Sequence, residues 1–206
     1  MSWRRRGASE RRGTPADLLV VGLANPGAEF EGTRHNVGGA AVRLLAERHG
    51  ARFKIEPRQR AALCEVRLGE RRVALAVPTT YMNESGDAVP ALLERTGIAE
   101  LRQLLVVHDE LDLEPGRLQL KVGGGIAGHN GLRSIKATLK SDAFLRLRIG
   151  VGKPPSREAG VNWVLGRPRG DDATSIGIAL EQAADGIELL VAEGIERAMA
   201  MLNVRG

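Results

Sequence analysis

Short apolar runs alternate with segments of helical period along most of this chain. The run DLLVVG at residues 17–22 is followed by a polar, glycine-bearing loop and then by AAVRLLAERHG, whose apolar residues recur at helical spacing. AALCEVRL and RRVALAVP predict two strands that form a hairpin around Gly69. Three further strands, LLVVHD, GRLQLKV and RLRIGVG, are interleaved with helical stretches, and residues 171–204 are helical in composition and period. This order predicts an α/β fold: a single three-layer domain with a central mixed β-sheet flanked by helices.

The size and composition of the chain favour one ordinary globular domain. With 206 residues, 43% of them hydrophobic and 27% charged, the chain can bury a core without a disulfide or a structural metal. No stretch approaches the roughly 18 apolar residues that a membrane-spanning helix needs, so we expect no membrane association. The single cysteine, Cys64, gives no sign of an oxidising compartment, and we expect a cytoplasmic protein.

The basic character of the chain is concentrated at its N-terminus. Five arginines and one glutamate lie in residues 1–16, so most of the formal net charge of +5 comes from this segment. The segment has no hydrophobic run long enough for a secretory signal. We therefore predict a disordered, arginine-rich extension at 1–16 and a single folded domain at 17–206.

Polar residues collect in loops that follow predicted strands, where open α/β sheets place their functional groups. His35 lies in the first of these loops, just before a helix, and Asp109 follows the strand LLVVH. A carboxylate bonded to one imidazole nitrogen leaves the other nitrogen free to accept a proton from water. The pair is a candidate general base, although each residue alone also fits a capping histidine or a solvated acidic loop.

Three asparagines, Asn25, Asn83 and Asn130, occupy three of these loops. Their amides both donate and accept hydrogen bonds, so together they can orient a water molecule and stabilise charge on a carbonyl oxygen. Taken singly, each is more often a turn residue or a helix cap. Because the chain has no G-x-S-x-G motif and Cys64 lies in a predicted strand, direct attack by water is favoured over a covalent nucleophile.

Two other kinds of site are conceivable from the residues alone. A metal site would have to use histidines and aspartates that match no recognised ligand spacing, so we expect no metal. Its candidate ligands are His35, His108, Asp109, Asp112 and His129. Residues 123–128 read G-x-G-x-x-G, as in a dinucleotide site, but no acidic residue ends the next strand. The glycines also suit close approach of a large ligand's backbone.

Positive charge is concentrated in residues 117–150, where Asp142 is the only acid. Lys121 and the glycine-rich loop beside it are suited to binding phosphate, and a solvated helix face is the alternative interpretation. With aromatic residues at only 3% of the chain, base stacking is a poor basis for RNA recognition. Any nucleic acid is therefore expected to be held by charge and backbone.

Five segments, taken in order, resemble the bacterial peptidyl-tRNA hydrolase family. They are GLANPGAEFEGTRHNVG, PTTYMNESG, HDELDLEPG, KVGGGIAGHNGLRSI and RLRIGVG. The resemblance covers nearly everything from Asp17 to the C-terminus and leaves only the N-terminal extension outside. It implies a monomeric enzyme that hydrolyses, without a cofactor, the ester linking a peptide to the terminal ribose of tRNA. Residues 17–206 would then form one catalytic domain.

By this resemblance, five residues carry the chemistry. His35 of TRHN is the catalytic base, and Asp109, the first aspartate of HDELD, holds it basic. Asn25 of NPG discriminates peptidyl-tRNA from free aminoacyl-tRNA. Asn83 and Asn130 contact the substrate and water.

The same resemblance places further residues against the acceptor end of the tRNA. Met82 lines the cleft, Phe30 and Tyr81 touch the 3′ CCA end, and Lys121 and Arg148 clamp the 5′ phosphate. Phe30 stands where many relatives carry tyrosine, which removes a hydroxyl at that position. The main alternative is a non-catalytic RNA-binding protein on the same scaffold, but a pure binder has no chemical need for the catalytic set.

Overall fold

Residues 14–156 and 158–204 are described by a computed structural model, in which a seven-stranded sheet lies between two layers of helices. The strands are β1 (Leu18–Gly22), β2 (Lys54–Glu56), β3 (Ala61–Leu68), β4 (Arg71–Pro78), β5 (Leu104–Glu110), β6 (Leu118–Val122) and β7 (Leu145–Gly150). The helices are α1 (Val37–Arg48), α2 (Val89–Thr96), α3 (Asn130–Leu139), α4 (Gly160–Leu165), α5 (Gly170–Glu193) and α6 (Ile195–Leu202).

The strands lie in the order β2-β3-β4-β1-β5-β7-β6. β1 pairs in parallel with β4 and with β5, and β5 pairs in parallel with β7, so these four strands end at one edge of the sheet. β3 and β4 form the predicted hairpin, and β6 runs antiparallel to β7. The predicted mixed α/β sheet is confirmed, and the loops after β1, β4 and β5 meet at the shared edge.

Three details differ from the prediction. β2 has only three residues and is followed directly by Pro57, so it is too short to show a strand pattern. The six-residue helix α4 is also absent from the prediction. Residues 171–204 form two helices rather than one continuous stretch, because Gly194, with φ of 89°, ends α5 before α6 begins.

Apolar side chains on the two faces of the sheet build two cores. Val20 and Leu75 belong to the core that α1, α5 and α6 cover, whereas Leu19 and Val21 belong to the core under α2 and α3. All five residues of β1 are buried. A strand covered on both faces needs apolar residues at successive positions, which explains why this run does not alternate with polar residues.

Glycines allow α1 to lie directly on the centre of the sheet. A Cβ added at Gly38 would lie 2.2 Å from the carbonyl oxygen of Val107 in β5, and one added at Gly22 would lie 2.4 Å from the carbonyl oxygen of Gly38. The N–H of Gly39 donates to the carbonyl of Leu23 at 2.9 Å. This close approach fixes the start of α1, and the turn before it, against the ends of β1 and β5.

The two outer strands of the sheet are protected in different ways. β2 is short, while the outer side of β6 pairs with the side chain of Asn203. Oδ1 of Asn203 accepts from the N–H of Leu120 at 2.7 Å, and its Nδ2 donates to the carbonyl of Leu120 at 2.9 Å. One side-chain amide thus satisfies both backbone groups of an edge residue.

The N-terminal part of the described chain is already packed before β1. Ala16 is buried, and its N–H donates to the carbonyl of Thr96 at 2.8 Å, one residue ahead of the predicted domain start at 17. Residues 1–13 of the predicted extension lie outside the described residues. None of the helices in the described ranges combines the length and apolar character needed to cross a bilayer.

Candidate active site

His35 and Asp109 meet at the edge where the parallel strands end. His35 lies in the 3₁₀ turn Arg34–Asn36 that leads into α1, and Asp109 is the penultimate residue of β5. Nδ1 of His35 lies 2.8 Å from Oδ1 of Asp109. Because an ionised carboxylate can only accept, Nδ1 carries the proton and Nε2 keeps its lone pair.

A further side chain, that of His129, shares the same carboxylate oxygen. Its Nε2 lies 2.9 Å from Oδ1 of Asp109, while its Nδ1 accepts from the N–H groups of Gly131 and Leu132 at 3.1 and 3.3 Å. These contacts place the proton on Nε2 and make His129 the N-cap of α3. The sequence indicates His129 only as a candidate metal ligand, and its contact with Asp109 could not be predicted, since a histidine before a helix signals a cap at most.

Asp109 is ionised even though it is only 3% exposed. Burial by itself raises the pKa of this carboxyl group, but the neighbouring His129 and His35 outweigh burial and hold that pKa well below its usual range. The charged carboxylate in turn keeps both imidazole rings in the tautomers described above.

The turn that carries His35 is held on its outer side by Arg34. The guanidinium of Arg34 stacks 3.9 Å from the ring centroid of Trp163 in α4 and pairs with Asp172 of α5 at 3.2 Å. The N–H of Arg34 donates to the carbonyl of Gly166 at 3.1 Å. The packing of α4 against this turn leaves no signal in the sequence, because Arg34 and its partners are more than a hundred residues apart in the chain.

The position of Asn25 is fixed by two neighbouring segments. Its Oδ1 accepts from the N–H of Met82 at 2.7 Å. The side chain of Asn36 bonds to the N–H of Asn25 at 2.8 Å and to its carbonyl oxygen at 2.9 Å. Within residues 14–156 and 158–204, nothing accepts a hydrogen bond from Nδ2 of Asn25. This donor is therefore available to a ligand.

Asn83 and Asn130 are exposed at the starts of two helical segments that contact each other. Asn83 follows the buried Met82 after β4, and Asn130 is the first residue of α3. A Cβ added at Gly131 would lie 2.7 Å from Sδ of Met82, so the two segments pack closely. All three predicted asparagines, Asn25, Asn83 and Asn130, therefore lie in segments that surround the His35–Asp109 pair.

The predicted tRNA contacts lie on the two sides of β5 in the sheet. On one side, the rings of Phe30 and Tyr81 meet edge to face with centroids 6.5 Å apart, and Tyr81 is 55% exposed. On the other side, Lys121 belongs to β6 and Arg148 to β7. Arg148 pairs with the buried Glu110 at 2.7 Å.

Lys121 lies in a cluster of like charges. Burial, followed by the charges of Arg146 and Arg148, lowers the pKa of its ammonium group. No carboxylate of the described ranges lies within 4.0 Å of Lys121. Since Glu110 is already paired with Arg148, the cluster retains net positive charge that suits a phosphate.

The ligand atoms of His35, Asp109 and His129 lie within 4.8 Å of one another, which is close enough for a shared cation. Their hydrogen bonds do not suit one. A cation on Nε2 of His129 would require the proton on Nδ1, where two backbone N–H groups already donate. The hydrogen bonds of His129 therefore do not favour a cation shared by these three residues.

The glycine-rich loop at 123–128 does not have the setting of a dinucleotide site. It follows β6, which is an outer strand antiparallel to β7. A dinucleotide fingerprint instead joins a parallel strand to the helix of a βαβ unit. The topology of this loop therefore does not support the dinucleotide site that its G-x-G-x-x-G pattern suggests.

The mixed sheet, the His35–Asp109 pair and the three asparagines beside it form an α/β protein whose site has the groups of an enzyme that activates water. A family model described as peptidyl-tRNA hydrolase matches residues 19–206. The chain belongs to the peptidyl-tRNA hydrolase family, which confirms the resemblance seen in the five sequence segments.

Individual relatives agree with this assignment. The peptidyl-tRNA hydrolase of Mycolicibacterium vanbaalenii is 44% identical over 189 residues, which cover 92% of this chain and 98% of the relative. That of Mycobacterium ulcerans is 48% identical over 181 residues, covering 88% of this chain and 94% of the relative. The crystal structure of peptidyl-tRNA hydrolase from Acinetobacter baumannii has a TM-score of 0.87 and 38% identity, covering 93% of this chain and 98% of that one.

Proposed function

We propose that this protein hydrolyses the ester between peptide and tRNA in peptidyl-tRNAs released prematurely from ribosomes, with His35 as the general base. The observation that carries the proposal is the 2.8 Å contact between Nδ1 of His35 and Asp109, which leaves Nε2 as a proton acceptor. Membership of the peptidyl-tRNA hydrolase family supports the choice of substrate. The products are a free peptide and a tRNA that can be charged again.

The reaction proceeds by direct attack of water on the ester carbonyl. Nε2 of His35 takes a proton from the water as its oxygen forms a bond to the carbonyl carbon. Asp109 stabilises the imidazolium that forms and keeps its ring in place. As the tetrahedral intermediate collapses, the ester C–O bond breaks and the proton passes from His35 to the departing ribose oxygen.

The three asparagines bind the substrate and the attacking water. The free Nδ2 of Asn25, with the exposed amides of Asn83 and Asn130, supplies donors for the carbonyl oxygen and for the peptide group. Because these amides lie on loops tied to one another, they are oriented before substrate arrives.

Asn25 is assigned the discrimination between peptidyl-tRNA and free aminoacyl-tRNA. A side-chain amide that bonds a peptide group leaves the α-ammonium of an aminoacyl ester without an equivalent partner. We expect Asn25→Asp, which replaces the Nδ2 donor with a second acceptor, to narrow the ratio of kcat/KM between N-acetyl-aminoacyl-tRNA and aminoacyl-tRNA by about tenfold or more. Parallel assays of the two substrates measure the ratio, and an unchanged ratio contradicts the assignment.

The acceptor end of the tRNA extends across the site. The exposed Tyr81 and the neighbouring Phe30 contact the 3′ CCA end, and the buried Met82 supports the cleft wall beside them. The positive cluster of Lys121 and Arg148 holds the 5′ phosphate. We infer that the protein acts in the cytoplasm as a monomer without a cofactor, as membership of the peptidyl-tRNA hydrolase family implies.

Release of peptide from N-acetyl-aminoacyl-tRNA tests the proposed chemistry. The wild-type protein should be active with a chelator present, and His35→Ala should lower kcat by about 10² to 10⁴, the usual contribution of a general base. His49→Ala, at a histidine after α1 and outside the site, is the matched control and should retain activity. A wild-type protein that binds tRNA without cleaving it would instead favour a non-catalytic RNA-binding protein.

A further inference from the structure

Arg146 in β7 is the largest side chain that the fold buries completely, with 1% of its surface exposed. Its partners are neutral. Nε donates to Nε2 of His108 at 3.2 Å, and one terminal nitrogen donates to the carbonyl oxygens of Gly125 at 2.6 Å and of Gly124 at 3.3 Å. No carboxylate in the described parts of the chain forms an ion pair with it. A buried guanidinium without a carboxylate in contact is costly, so Arg146 depends on these neutral acceptors.

His108 provides the acceptor for Nε of Arg146. Nδ1 of His108 donates to the carbonyl oxygen of Asp109 at 2.7 Å, so Nε2 is free to accept from Arg146. The ring is neutral, because burial holds the pKa of His108 well below its usual range. The ring also lies edge-on to that of His129, with centroids 5.0 Å apart.

The glycine-rich loop at 123–128 is thereby held at both ends by neighbouring residues of β5. Its first half is tied through Arg146 to His108, and the residue that follows it, His129, is tied to Asp109. The loop also contains a strained backbone position, since Ala127 is a non-glycine residue with φ of 46°. The position of the loop relative to His35 therefore depends on both contacts.

We propose that Arg146 is a positioning residue for hydrolysis, which sets the glycine-rich loop so that His129 and Asn130 stand correctly beside the His35–Asp109 pair. This inference rests on the proposed function. Arginine suits the task because its rigid fork spans two acceptors on different elements, the ring of His108 and the loop carbonyls. A lysine would reach only one of them. Arg146 differs in this respect from Lys121, whose ammonium lies beside Gly124 and is assigned to the phosphate of the tRNA.

Two substrates distinguish a role of Arg146 in positioning the loop from a role in binding the phosphate of the tRNA. One is N-acetyl-aminoacyl-tRNA, and the other is the same ester on a CCA trinucleotide, which lacks the acceptor stem and its 5′ phosphate. We expect Arg146→Lys to lower kcat by about tenfold or more on both substrates with little change in KM, since a displaced loop misplaces the reacting groups. Lys121→Met should instead raise KM for the tRNA substrate. Arg197→Lys, at an exposed arginine of α6, is the matched control for the substitution itself.

The opposite pattern would overturn the inference. If Arg146→Lys raises KM for the tRNA substrate and leaves kcat on the trinucleotide unchanged, Arg146 is a phosphate ligand. An active wild type whose kcat is unaffected by Arg146→Lys overturns this inference alone, whereas a wild type inactive on both substrates overturns it together with the proposed function.

A measurement on the wild-type protein keeps the inference testable if the variant fails to fold. Nitrogen-15 NMR of the imidazole rings should show His108 neutral, with its proton on Nδ1, at pH 6.5, where an ordinary imidazole is half protonated. A proton on Nε2 would leave Arg146 without its acceptor and contradict the proposed role.

Discussion

Asp109 holds two imidazole rings through one oxygen, so its substitution tests the site at the scale of a single residue. Asp109→Asn presents an amide in place of the carboxylate and can donate to Nδ1 of His35, which moves the histidine proton to Nε2. We expect kcat for N-acetyl-aminoacyl-tRNA to fall by about 10³ or more, because the wrong tautomer cannot accept a proton from water. Steady-state kinetics measure this, and a loss below tenfold would contradict the role of Asp109.

At the same scale, His35 and Asp109 could be found from the sequence because His35 lies in the loop between β1 and α1, and Asp109 comes at the end of an apolar strand. The structure extends that strand through Asp109 to Glu110. His129 could not be found from the sequence as the second partner of Asp109. That contact depends on the path of the loop at 123–128, which is set by Arg146 and by positive φ angles rather than by any periodic pattern. The ion pair between Arg148 and Glu110 also could not be predicted from the sequence, because it joins β7 to β5 and depends on the order of the strands in the sheet.

At the scale of elements, replacement of glycine by alanine should have opposite effects on stability where α1 contacts the sheet and on an exposed helix surface. Gly38→Ala places a methyl group against the carbonyl of Val107 and should lower the free energy of unfolding by about 2 kcal/mol or more. Gly177→Ala, on the exposed side of α5 with nothing within 4 Å, should raise it by about 0.5–1 kcal/mol. Urea unfolding measures both values. Equal effects at the two positions would contradict the close approach of α1.

The elements that were predicted correctly are those whose burial leaves a pattern in the sequence. β1 and β5 are buried throughout, and their apolar runs are unmistakable. β2 and α4 have three and six residues, shorter than the window in which a period can be recognised. They are fixed by tertiary contacts, as the stacking of Arg34 on Trp163 in α4 illustrates.

For the whole molecule, the buried neutral His108 predicts how stability depends on pH. The unfolded chain binds a proton at this residue below about pH 6.5, whereas the folded protein, with a lowered pKa, does not. The contribution of His108 to the free energy of unfolding is therefore fully present above pH 6.5. It is lost as the pH falls toward the pKa of His108 in the folded protein. From this one group, the free energy of unfolding should fall by up to about 1.4 kcal/mol per pH unit below 6.5.

Urea unfolding between pH 5 and pH 8 measures this slope. His108→Gln, which keeps a side-chain acceptor near Arg146 but cannot titrate, should flatten the curve below pH 6.5. His49→Gln, at a histidine paired with Glu188 on the surface, should retain the wild-type slope. Identical pH dependence in His108→Gln and the wild type would show that another group is responsible.

The contact between Asn203 and Leu120 can form only late in the synthesis of the chain. Synthesis proceeds from the N-terminus, so the strand that contains Leu120 leaves the ribosome long before residue 203 does. Until then, the N–H and carbonyl on its outer side have no partner and can pair with another unfinished chain. Asn203, which follows α6, thus covers this part of the outer edge of β6, and a nascent chain from which residue 203 has not yet emerged leaves that edge unpaired.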